Sequence, residues 1–140
     1  MARPEASVWD YLRGLLPTGI HYSRIESETC PGFPDIHYTL EGVSATIELK
    51  SGKFNSTYPF SGKSGLRKSQ ILWMRDELEA GGMVLLALEV KPYYFLLNAE
   101  CYYEDLHKMS FEEVRRVSTL FWEKGNDVRD RLAVALVNKS

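Results

Sequence analysis

Asp35, His37, Glu48 and Lys50 are the residues of this chain whose types and spacing could do chemistry together, and they fall within the stretch Gly32–Lys50. Glu41-Gly42 reads as a two-residue turn between two short strands. Leu40 then faces Val43, Tyr38 faces Ala45 and Ile36 faces Ile47, which makes one face apolar throughout. The other face pairs Thr39 with Ser44, His37 with Thr46 and Asp35 with Glu48, and Lys50 follows on the same side. A slip by one residue would mix the two faces, so the pattern itself sets the register. Opposed carboxylates with Cβ atoms roughly 4.5–5.5 Å apart repel each other. A divalent cation between them reverses the sign of that interaction. Mg²⁺ accepts hard oxygen ligands, commonly one or two carboxylates with waters and a substrate phosphate. Two carboxylates and a lysine on one polar face suit metal-assisted hydrolysis of a phosphodiester.

Pro34-Asp35 followed by Glu48-Leu49-Lys50 resembles the signature of the PD-(D/E)XK nuclease superfamily. Arg24-Ile25-Glu26, Gly32, and Leu66 through Gln70 with Trp73 extend the likeness to small phage and archaeal members, Holliday-junction resolvases and related structure-specific endonucleases. The resemblance covers roughly the first two-thirds of the chain. It implies a restriction-endonuclease-like α/β fold, a mixed central sheet of about five strands flanked by helices. It implies a Mg²⁺-dependent DNA endonuclease in which Mn²⁺ can substitute. Asp35 and Glu48 would hold the metal, with the Leu49 carbonyl as a further ligand. Lys50 would position the nucleophile or stabilise charge developing on the phosphate. Glu26 would be the auxiliary acid and Gln70 would stand near the metal or the scissile phosphate. Branched DNA, a homodimeric enzyme and a phage-encoded intracellular protein are further implications, with no nucleotide cofactor. A restriction-type endonuclease would use the same core. A catalytically idle nuclease fold that binds DNA or protein is the reading from another class, and facing carboxylates argue against it.

The elements around this stretch follow in order. Pro4 and Glu5 suit the first turn of a helix whose stripe is Val8, Trp9, Leu12, Leu15 and Leu16, ended by Pro17. A strand follows from Gly19 to about Ser27, with Ile20, Tyr22 and Ile25 as inward candidates. Glu28 competes with Glu26 as the auxiliary acid, and either also reads as a solvated strand residue. Cys30-Pro31-Gly32-Phe33-Pro34 is a turn-forming run that sets the approach to Asp35. Cys30 reads more readily as a small buried apolar residue than as a reactive thiol. His37 reads as a structural histidine or a phosphate contact.

Ser51–Gly65 is a long Gly/Ser/Lys loop with Phe54, Tyr58 and Phe60 interleaved, leaving directly from the catalytic strand. Leu66–Ala80 is the strongest helix, with Ile71, Leu72, Trp73, Met74 and Leu78 as its apolar residues and Gly81-Gly82 as its stop. Arg67, Lys68, Ser69 and Gln70 crowd its first turn, a natural phosphate site. Met83–Val90 reads as a strand buried on both faces, and Tyr93–Leu97 as another. Phe111–Glu123 and Val128–Val137 read as amphipathic helices joined at Gly125-Asn126. Leu120, Phe121 and Trp122 are then core residues or a homodimer surface.

The chain has 140 residues and a formal net charge of −2. That length suggests a single nuclease-like domain over 1–140, with 98–140 as a helical C-terminal extension. The balance excludes an indiscriminately basic nucleic-acid binder, but its distribution is uneven. From Ser51 to Met74 there is no acidic residue, while Lys53, Lys63, Arg67 and Lys68 fall there. With Ser69, these form the expected DNA-contacting set. Two cysteines, Cys30 and Cys101, are too few for a disulfide framework, and with three histidines they show no zinc spacing. No apolar run is long enough for a membrane helix.

Overall fold

The computed structural model describes residues 4–25 and 30–138. Six strands form one mixed sheet in chain order: β1 (His21–Arg24), β2 (Ile36–Leu40), β3 (Val43–Ser51), β4 (Val84–Val90), β5 (Tyr93–Asn98) and β6 (Leu120–Glu123). All neighbours are antiparallel except β3 and β4, which run parallel. A parallel pair needs a crossover, and α2 (Lys68–Glu79) supplies it. The remaining helices are α1 (Pro4–Arg13), α3 (Phe111–Val117) and α4 (Arg129–Val137).

The β2–β3 register is the one the alternation requires: Leu40 opposite Val43, Tyr38 opposite Ala45, Ile36 opposite Ile47 and His37 opposite Thr46. Glu41 and Gly42 both take positive φ, 49° and 79°, as the two central residues of a type I′ hairpin turn do. Along β3, Ala45, Ile47 and Leu49 join a core closed by Val8, Trp9 and Leu12 of α1 and by Leu132, Ala135 and Leu136 of α4. Thr46, Glu48 and Lys50 therefore project to the opposite face. That face carries a second core, built from Met74 of α2, Val114 of α3, and Leu86, Leu88, Phe95 and Leu97 of the sheet.

Several expectations change. The tail is not only helical: the predicted helix Phe111–Glu123 stops at Val117, and Leu120–Glu123 becomes the sixth strand. Leu120 and Trp122 are buried in the first core and Phe121 packs on the second. They complete the sheet as core residues, one of the two roles their sequence offers. Tyr22 is exposed on an edge strand, where its ring meets Trp9 edge-on at 5.4 Å. Cys30 is exposed, as is Cys101, and no disulfide joins them. Leu72 is also exposed. Among the described residues, no helix is long and apolar enough to cross a membrane.

Candidate metal and phosphate site

The site is assembled by three pieces of chain. The first is β3, which carries Glu48 and Lys50 on the face beneath α2. The second is the turn Cys30–Pro34, which delivers Asp35 to the start of β2. The third is the first turn of α2. Gly32 holds the second to the third. Its φ is +86°, and a Cβ there would collide with the Ser69 carbonyl. Backbone thus packs on backbone at this point, and the Phe33 and Trp73 rings close the contact at 4.9 Å.

Asp35 Oδ2 accepts a hydrogen bond from the Leu49 N–H at 2.9 Å. That bond turns the Asp35 carboxylate across the strand toward Glu48. Glu48 is 1% exposed. Its Oε1 accepts from Gln70 Nε2 at 2.7 Å, while Gln70 Oε1 accepts from the Arg67 N–H at 2.8 Å. Gln70 is itself buried and so fixes the Glu48 carboxyl from the helix start. Glu48 Oε2 is buried and, with the carboxyl ionised, finds no donor among the described residues, whereas the protonated carboxyl can donate to Asp35. Burial, then hydrogen bonding and charge from Asp35, push the Glu48 pKa up to about 10, against the opposing pull of Lys50 and Arg67. A buried carboxylate oxygen without a partner costs about 1–3 kcal/mol or more. A proton or a cation relieves that cost.

The donor set fits a hard divalent cation. Asp35 and Glu48 present two carboxylates to each other as hard oxygen donors. Such a pair matches Mg²⁺, which keeps waters and recruits substrate phosphate. Lys50 is 4% exposed and lies two residues beyond Glu48 on the same face.

The structure places Asp35, Glu48, Lys50 and Gln70 close together on one face of the sheet. Leu49 enters by its backbone N–H on Asp35, while its side chain is in the core. Glu26 and Glu28 lie outside the described residues. Lys53, Lys63, Arg67 and Lys68 are exposed and Ser69 is half-buried, with its carbonyl against Gly32. Arg67 stands close enough to Glu48 to stabilise its charged form. His37 is half-buried on β2, opposite Thr46.

One buried carboxylate escaped sequence reasoning. Glu89, within the apolar run of β4, accepts from Ser51 Oγ at 3.0 Å and from Tyr94 OH at 2.7 Å. Its position opposite Tyr94 across the β4–β5 hairpin was the available signal. The Gly52 N–H also donates to the Glu89 carbonyl, so Glu89 anchors the point where the loop leaves β3.

No protein-family model matches the chain, and no curated protein matches it.

Proposed function

We propose that the protein is a metal-dependent DNA endonuclease of the PD-(D/E)XK kind. The observation that carries this reading is the Asp35–Glu48 pair, with a buried Glu48 oxygen that has no donor once the carboxyl ionises, on the same strand face as Lys50. Asp35 and Glu48 hold the cation, Mg²⁺ or Mn²⁺, and the Leu49 carbonyl is a further proposed ligand. When bound, the cation polarises the phosphate and lowers the pKa of water. Gln70 keeps Glu48 oriented, so the carboxyl does not rotate away when it loses its proton. Lys50 offsets charge developing on the phosphate oxygens. The first backbone amides of α2, with Arg67 and Lys68, receive a flanking phosphate. Glu26 completes the proposed catalytic set. Branched DNA and a homodimeric enzyme rest on the resemblance of the motif.

The test is cleavage of labelled four-way junction, flap, single-stranded and linear duplex DNA with Mg²⁺, Mn²⁺ or EDTA. The expected result is metal-dependent cutting that Asp35→Asn reduces at least roughly 100-fold, since several kcal/mol of transition-state stabilisation go with the cation. Gln70→Ala should cost about 10–100-fold, the usual penalty for losing a residue that orients a ligand. Preference for the junction supports the branched substrate, and the mass of the particle in solution tests the homodimer. A folded protein that cuts none of these substrates with either metal overturns the nuclease reading.

A further inference from the structure

Beyond the carboxylate pair, the loop after β3 builds a second feature on the same face of the sheet. Its residue Phe60 is fully buried and meets Phe95 edge-on at 6.4 Å, and the Lys53 N–H donates to the Pro59 carbonyl at 2.8 Å. The loop is therefore pinned at both its departure and its return. Between these points, Phe54 is left 67% exposed, although it is a large apolar ring. It helps to line a cavity of about 170 Å³, together with Lys53 and Asn55 from the loop and with Val90, Tyr93 and Phe111.

The walls of this cavity are preformed. Tyr93 stacks on Phe121 at 5.7 Å and meets Phe111 edge-on at 5.4 Å, so two of its aromatic walls belong to a packed cluster. Among the described residues no acidic side chain lines it, and Lys53 does. The Asn55 amide supplies both a donor and an acceptor. The volume suits one planar ring system and falls below the roughly 300–1,000 Å³ of pockets for drug-sized ligands. Its position relates it to the first site. Lys50 is in register with Leu88, and Val90 lies two residues further along β4. The Lys50 and Val90 backbones are then about 8 Å apart.

We propose that this cavity receives one unpaired DNA base, taken from the strand that passes Lys50, with Phe54 stacking on its exposed side. The inference rests on the nuclease reading only for the identity of the strand. Aromatic side chains hold bases without regard to sequence because every base has a π-face. Lys53 would sit against the adjoining phosphate. The shared chemistry is a nucleobase, and its source is a strand and not a free nucleotide.

Binding is measured by fluorescence anisotropy in EDTA, where no cleavage occurs, so failure of the nuclease reading and failure of this one are separable. A short single-stranded oligodeoxythymidylate is compared with an abasic strand of equal length and charge. The wild type should favour the base-bearing strand at least about fivefold, the low end of what one stacked base contributes. Phe54→Ala should abolish most of that preference and leave the salt dependence of binding unchanged. The position of Phe54 on the surface makes a folding defect in this variant readable as a change in thermal unfolding. Equal affinity for the two strands, no binding of either, or no effect of Phe54→Ala would overturn the proposal. So would thymidine monophosphate competing as effectively as the oligonucleotide, which marks a mononucleotide pocket.

Discussion

Glu48 carries the most consequential side chain in the molecule. Its pKa rises from an ordinary 4.5 to about 10, first through burial and then through Asp35. Between those values the folded chain keeps a proton that the unfolded chain has released. Stability without metal therefore falls as pH rises through that window. Glu48→Gln keeps the shape and the bond from Gln70 within reach but removes the titration. In EDTA, the wild-type Tm should decline from about pH 6 to about pH 9 while the variant stays flatter and is the more stable at the upper end. Mg²⁺ at the upper pH should raise the wild-type Tm and leave the variant unmoved, since the cation takes the place of the proton. Parallel decline of both proteins would show that Glu48 does not hold the proton. The pairing of Asp35 with Glu48 was legible in the sequence because strand alternation is strict and the hairpin is short. The bond from Gln70 was not, because it depends on how α2 lies across the sheet, which no local pattern encodes.

Two glycines separate the ways in which elements place this site. Gly42 and Gly32 have nearly the same φ, +79° and +86°. At Gly42 an added Cβ meets nothing, whereas at Gly32 it strikes the backbone of α2. Gly42→Ala should then cost only the left-handed strain, about 1–2 kcal/mol. Gly32→Ala adds an overpacking cost of roughly 1–3 kcal/mol. Only the second should also weaken Mg²⁺ binding, because the turn it displaces carries Asp35. Urea unfolding and Mg²⁺ titration of both variants check this, and equal effects would remove the turn–helix contact from the account of the site. Element boundaries were less legible than register. Leu120-Phe121-Trp122 continues the apolar spacing of α3, and Ser118-Thr119 contains neither Gly nor Pro to mark the break. The decision is tertiary: β5 offers an unpaired edge, and Phe121 and Trp122 fit its two faces as a strand. In the loop after β3, Phe60 turns inward while Phe54 and Tyr58 stay exposed, a division that the sequence alone leaves open.

At the scale of the molecule, the described residues after Asn98 are structural on both sides of the sheet, although their sequence carries no motif. Leu106, Met109 and Val114 close the core on the Glu48 side. Leu120, Trp122, Val128, Leu132 and Leu136 close the other. Tyr38 OH donates to the Leu136 carbonyl at 2.6 Å, which ties the hairpin that positions Asp35 directly to α4. Trp122 Nε1 donates to Tyr11 OH at 3.0 Å and so ties β6 to α1. The motif-bearing part of the chain is consequently not an independent unit. A truncation to residues 1–98 keeps Asp35, Glu48, Lys50 and Gln70, but exposes Leu85, Leu97 and Phe95 and leaves the Tyr38 hydroxyl without its acceptor. Losing several buried side chains at about 1.5–3 kcal/mol each exceeds the whole stability of an ordinary domain, about 5–15 kcal/mol. The truncated chain should bind a hydrophobic dye, show no cooperative thermal transition and gain no stability from Mg²⁺. A cooperative transition with a Mg²⁺-dependent shift would instead show that the site is held by β1–β5, α1 and α2 alone. The chemistry and the packing would then be separable in a way that the shared core argues against.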